Sequence, residues 1–296
     1  PPDFLCYPVF SDFYGIEPAL AEIGHYFELA ADGLQAERQI LWVWGPPGSG
    51  KTTLLETLMR RLEKFSFPVL KGCSLHEHPL HVVPEEKREL LYQLFYAFRG
   101  SPCQGCYGRL SAYGDKWWDA EIEELCYSLN AACGIAFIDQ PLVAARTVGE
   151  YPKKWYKVLE EANGGVLILG CAKEMQPPEF MALLAELVES GNMNAEESAA
   201  RLSLDIAIVI VSNISPKEWQ KDNRSFLDRA IEVRVPVVLS IGAEGRIHEK
   251  LERFASSATH FMPHAEEALN MMVCASRLRD RGNLSTNDIL ERLLFY

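Results

Sequence analysis

The apolar residues of this chain fall into two alternating patterns. From Phe13 to Leu34 they recur at helical spacing, with Ile16, Leu20, Ile23, Phe27 and Leu29 on one stripe, which predicts an amphipathic helix. Gln39-Ile40-Leu41-Trp42-Val43-Trp44 then forms an almost unbroken apolar run, the pattern of a strand covered on both faces. Comparable runs at Phe67–Leu75, Gly165–Leu169, Ile206–Val211 and Ala230–Val235 predict four further strands, and a shorter apolar run spans Gly134–Asp139. Helical spacing returns at Thr52–Lys64, Pro84–Phe98, Trp117–Leu129, Lys153–Ala162 and Pro177–Glu189. Beyond Pro236 the strand signals largely cease, and Gly245–Phe254, His264–Leu278 and Asn287–Leu294 read as three helices.

Strands alternating with helices predict an α/β domain around a parallel sheet, and the helical tail predicts a small separate bundle. We place the division at 1–237 and 238–296, with an insertion at about 99–163. Ser101–Tyr113, which holds Cys103 and Cys106 among Gly, Pro and Ser, reads as a loop or small knuckle.

The most informative stretch is Gly45-Pro46-Pro47-Gly48-Ser49-Gly50-Lys51-Thr52-Thr53. It fits the phosphate-loop pattern G-x-x-x-x-G-K-[ST], with a strand before it and a helix after it. Glycines let the backbone close around phosphate and aim N–H groups inward. The helix that follows presents its positive end to the same anion. Lys51 is expected to neutralise the β- and γ-phosphates and the Thr52 hydroxyl to hold magnesium, with Thr53 alongside. The bland alternative is a glycine turn that binds nothing.

A hydrolase also needs a carboxylate, a polar group for water and a positive charge. Asn213, at the tip of Ile206–Val211, is a candidate to orient water at the γ-phosphate; strand-end turns also favour Asn. Arg229, or secondarily Arg224, is a candidate finger acting on a neighbouring subunit, against a salt bridge to Asp228 or Glu232. Arg277 is a candidate lid residue reaching the phosphates in cis, against a solvated helix face.

The chain has a formal net charge of −12 over 296 residues, which disfavours a nucleic-acid partner unless a basic patch exists locally. No apolar run reaches the roughly 20 residues of a membrane helix. The chain starts Pro1-Pro2-Asp3-Phe4, without an initiator Met or a visible signal peptide, which reads as a fragment or processed chain. Its eight Cys are expected as reduced thiols in a soluble, cytoplasmic protein.

The order of phosphate loop, Asn213, Leu227-Asp228-Arg229 and helical tail resembles an AAA+ ATPase. Several stretches are similar to the PrkA family, named as serine protein kinases: Tyr26–Leu34, His78-Pro79-Leu80-His81-Val82-Val83-Pro84, Cys103/Cys106 with Arg109, Glu161-Ala162-Asn163-Gly164-Gly165, Ser212-Asn213, Glu218-Trp219 and Ser225–Arg229. The resemblance spans about Phe13 to Leu278. It implies a three-layer AAA+ core with a helical lid, ATP with Mg2+ as cofactors, and assembly of copies into a ring, with a hexamer as the candidate form. In that family the region credited with kinase activity lies beyond this core. Three readings follow: an ATPase module, a scaffold or switch that binds ATP with little hydrolysis, and a protein kinase by family name alone.

The match breaks at one place. The family has a glutamate where this chain has Cys171, after Gly170, and a thiol is a poor base and a poor magnesium ligand. Asp139, ending the shorter apolar run, is a rival carboxylate, although the resemblance puts that run inside an insertion; Glu174 is a third. Zinc at Cys103/Cys106 would require more ligands, from Cys126, Cys133, His76, His78 or His81, and free thiols are the preferred reading. Trp117, Trp118, Trp155 and Tyr156, on predicted helices, are expected to pack in the core or between subunits.

Overall fold

The computed structural model describes residues 7–31, 39–84, 86–88, 100–111, 116–139, 153–170, 178–194, 201–219, 228–254 and 264–278. Helix α1 (Glu17–Ala31) leads into strand β1 (Ile40–Trp44), and α2 (Lys51–Leu62) follows the phosphate-loop segment. Next come β2 (Ser66–Leu70), α3 (Gln104–Ser111), β3 (Ile122–Cys126), β4 (Ile135–Ile138), α4 (Lys153–Ala162), β5 (Gly165–Gly170) and α5 (Pro178–Ser190). The short strands β6 (Asn192–Asn194) and β7 (Arg201–Ser203) pair with each other before β8 (Ile206–Ser212). The turn of helix α6 (Pro216–Trp219), strand β9 (Ala230–Arg234), α7 (Ile241–Phe254) and α8 (Ala265–Arg277) complete the described elements.

The main sheet has the order β4-β5-β8-β1-β9, and every pairing in it is parallel. Alternate residues of its strands divide between two cores. Ile40, Trp42, Leu167, Leu169, Ile208 and Ile210 face α4 and α5, where Trp155, Leu159, Phe180 and Leu184 meet them. Leu41, Val43, Val166, Ile168, Val209 and Val211 face α1 and α2, against Ile23, Tyr26, Leu54 and Leu55. The apolar runs arise because helices cover both faces of the sheet, giving the expected three layers.

Two expectations are corrected. Residues 117–129 do not form a helix: a 3-10 turn at Trp117–Asp119 is followed by β3, antiparallel to β2. Trp117, Trp118, Ile122, Leu125 and Leu129 do have helical spacing, but β2 needs a hydrogen-bonding partner and β3 supplies it, with Phe67 stacked on Tyr127 at a centroid distance of 4.5 Å. Ser101–Tyr113 is not simply a loop, because α3 starts at Gln104; Gly105 and Gly108 inside it mask its helical signal. Within 99–163, β4 is an edge strand of the main sheet and α4 packs into its core. Of the four aromatics, Trp155 packs in the core as expected, 2% exposed against Phe180, and Trp118 is 61% exposed on the 3-10 turn. Most of the expected helix Pro84–Phe98 and all of Asn287–Leu294 lie outside the described residues.

Asn163 ties several of these parts together. Buried at the end of α4, it donates from Nδ2 to Leu75 O and accepts the Asp205 N–H at Oδ1.

Trp155→Ala is expected to cost about 3–5 kcal/mol, and Trp118→Ala no more than about 0.5 kcal/mol. Urea unfolding of the two variants beside the parent chain measures both.

Candidate functional site

Strand β1 ends at the carboxyl edge of the sheet between β8 and β9, with Trp44 in register with Ser212 on one side and Arg234 on the other. Gly45 N–H donates to Ser212 O at 3.3 Å, and Val235 N–H to Trp44 O at 2.7 Å. A methyl group on Gly45 would lie 2.1 Å from Val235 O, so no larger residue fits where the loop leaves the strand. Gly50, at φ 84°, occupies the left-handed region immediately before α2, where glycine carries no Cβ penalty.

The Lys51 side chain folds back into the loop. Its Nζ donates to Gly45 O and Pro46 O, both at 2.8 Å, and to Ser49 Oγ at 3.2 Å, and the residue is 6% exposed. Thr52 and Thr53 are exposed on the first turn of α2, whose N–H groups point out of the helix end. A depression of 420 Å³ is lined by Pro47, Gly48, Gly50, Lys51, Thr52, Thr53, Leu55, Phe137, Gly170, Val211, Ser212 and Asn213. Residues from the loop after β1, from α2, from β4 and from the ends of β5 and β8 thus meet at one edge, where a doubly wound sheet receives its ligands. None of these described lining residues is acidic. The arrangement offers backbone amides, one ammonium, three hydroxyls and an amide to a polyphosphate.

The family described as PrkA AAA domain matches residues 4–142 and 159–285. The chain belongs to this family. It is 26% identical over 327 aligned positions to the "ATP-dependent protease PrkA" of Bacillus subtilis (strain 168), covering 96% of this chain and 50% of that protein. It is 29% identical over 319 positions to the "Serine/threonine kinase YeaG" of Escherichia coli (strain K12), covering 94% and 48%. The chain therefore spans about half the length of these curated relatives. Among solved structures, a chain from the complex of magnesium chelatase subunits BchI and BchD aligns at 15% identity and TM-score 0.49, over 97% of this chain and 74% of that one. With its phosphate loop, the PrkA AAA chain is a nucleotide-binding module of the AAA+ type.

Asp139, Arg229 and Arg277 are not among the residues lining the depression. Asp139 follows the edge strand β4, two residues after Phe137 of the lining; it is exposed, and its Cβ lies beside Gly170, another lining residue. Arg229 sits just before β9, and its carbonyl accepts the Ile40 N–H. It is therefore at the opposite edge of the sheet, roughly 15 Å along β9 from the loop. Its guanidinium pairs with Glu189 at 3.4 Å, not with Asp228 or Glu232. Arg277, expected at the phosphates, instead grips Glu244 with two donors at 2.6 and 3.1 Å and donates to Val238 O at 2.9 Å. Glu244 is 3% exposed, and a buried carboxylate requires such a cation. Cys171, Glu174 and Arg224 lie outside the described residues.

A second cluster escaped the sequence reading. Cys103 and Cys106 meet Cys73 and Glu77, whereas Cys126 is exposed on β3 and Cys133 packs beneath Phe67 and Val69. Hydrogen bonding from Cys73 pulls the Cys103 thiol down to about 5, while burial pushes Cys106 up to about 12 and raises Glu77. A Cys-x-x-x-Glu spacing at 73–77 was the available signal, but one carboxylate among 41 acidic residues does not stand out.

Lys51→Ala is expected to abolish the thermal shift produced by millimolar magnesium nucleotide while leaving the fold intact by circular dichroism. Arg277→Ala is expected to lower stability by about 1–3 kcal/mol and to leave nucleotide affinity unchanged, as read by calorimetry; a large loss of affinity would restore the lid role.

Proposed function

We propose that this chain is a Mg-ATP-binding AAA+ module whose nucleotide holds subunits and lid in one geometry, and that it turns ATP over slowly. The observation that carries this reading is the common depression formed by the Lys51 loop and Asn213, with no acid among its described lining residues. ATP is favoured by the family and by the printed name of the Bacillus relative. Gly45 to Gly50 and Lys51 bind the phosphates, Thr52 holds Mg2+, and Asn213 senses the γ-phosphate. Asp139, beside Gly170 of the lining, is the rival source of a carboxylate.

Residues 1–237 form the nucleotide domain in this reading, and 238–296 the lid. Arg229, at the edge away from its own loop, could reach a nucleotide only on another copy. This supports a homo-oligomeric ring, a hexamer being the candidate form, in which loss of the γ-phosphate releases the contact. The protein is read as cytoplasmic, without a nucleic-acid partner; no described helix is long and apolar enough to cross a membrane. The protease and kinase activities in the relatives' names belong to proteins about twice as long.

Phosphate release under saturating Mg-ATP tests the reading. The parent chain is expected to turn over slowly, and Asn213→Ala and Arg229→Ala to lose about tenfold or more. Cys171→Glu, which restores a carboxylate after β5, should gain on the order of 10²-fold. Fast turnover in the parent, unchanged by Cys171→Glu, would overturn slow hydrolysis; turnover unchanged in Lys51→Ala would overturn the site itself.

A further inference from the structure

The region around β2, β3 and α3 has little apolar material to hold it. Its buried cluster consists of Leu70, Cys73, Leu75 and Cys106, so half of it is cysteine. Helix α3 is eight residues long and contains Gly105 and Gly108. An isolated helix of that length and composition would not persist in water, so something other than propensity or core size must fix it.

The side chains at its start suggest what does. The Sγ atoms of Cys73, Cys103 and Cys106 and a carboxylate oxygen of Glu77 all lie within 4.8 Å of one another. Cys73, Cys106 and Glu77 are buried and Cys103 is half-buried. The Cys106 N–H donates to Cys103 Sγ at 3.4 Å, turning the Cys-x-x-Cys backbone around that sulfur. The Cys103 N–H donates to Glu77 Oε1 at 2.5 Å, and Arg109 Nη2 donates to Cys106 Sγ at 3.0 Å while Nη1 donates to Lys71 O at 2.7 Å. Leu70 N–H donates to Glu77 O, and Cys73 N–H to Leu70 O, which holds the first pair of side chains on one tight loop.

We propose that Cys73, Glu77, Cys103 and Cys106 form a structural zinc site. Four donors, two from the 71–77 loop and two from the start of α3, give the ligand number of a closed tetrahedral site. Donors on a tetrahedron around zinc stand about 3.8 Å apart, so the observed cage needs only a small contraction. It is too tight for a multi-iron cluster, whose thiolates stand on separate corners. Three thiolates with one carboxylate favour Zn2+ over the harder Mg2+ and Ca2+. Binding releases the thiol protons to solvent and leaves an anionic centre, which the Arg109 guanidinium faces. The metal would join the 71–77 loop to the start of α3, supplying the hold that the small core lacks.

Metal analysis of the purified full chain tests this. The expected content is about one zinc per chain, kept in Cys126→Ser and lost in the Cys103→Ser/Cys106→Ser double variant. Because that variant could unfold, the parent chain is also stripped with chelator and titrated with Co2+. Tetrahedral thiolate ligation then gives intense visible bands and sulfur-to-cobalt charge transfer, and Glu77→Gln shifts them without abolishing them. Folded parent protein without zinc and without these cobalt bands would overturn the proposal. So would a disulfide found between any two of the three cysteines in protein prepared under reducing conditions.

Discussion

The carboxyl end of β1 is held on both sides, and this one constraint positions the nucleotide site. Val235 N–H reaches Trp44 O from one flank and Ser212 O receives Gly45 N–H from the other. The chain must leave the strand at a point where a methyl group would collide with Val235 O, and it turns back through left-handed glycine into α2. Lys51 is thereby brought over its own loop, where loop carbonyls and Ser49 accept its hydrogen bonds. Those acceptors are neutral. A polyphosphate offers the same ammonium charged oxygens, and charge-assisted hydrogen bonds are the stronger ones. The exchange of carbonyl for phosphate is the step by which the loop would register its ligand.

Much of this was legible because burial on both faces writes continuous apolar runs. The runs now seen as β1, β5 and β8 stood out for that reason, and the loop between β1 and α2 by its glycines and lysine. Legibility failed where two periods were compatible with one stretch. Residues 117–129 have helical spacing, yet only the hydrogen-bonding need of β2, a non-local fact, makes part of them a strand. Asn163 could be seen only as part of a family motif; its place between Leu75 and Asp205 became visible with the fold. Likewise Cys103 and Cys106 were evident as a pair, but Cys73 and Glu77 are nearly 30 residues away in sequence and join them only through folding.

Charge follows the same logic. The chain is strongly acidic overall, yet the described lining of the depression has no carboxylate. That suits anion binding and leaves water activation without an obvious base. Among the described residues the buried acids sit beside donors or cations: Glu244 under Arg277, and Glu77 against the Cys103 N–H. Arg229 and Arg277 are ion-paired in this structure, so any part they take in nucleotide chemistry requires those pairs to exchange.

A structure of the chain with magnesium and a non-hydrolysable ATP analogue tests the central claim most directly. The account predicts Lys51 Nζ released from Gly45 O and Pro46 O onto the terminal phosphates, with Asn213 beside the γ-phosphate. An analogue bound elsewhere, or Lys51 still held by its loop carbonyls with the phosphates in place, would contradict it.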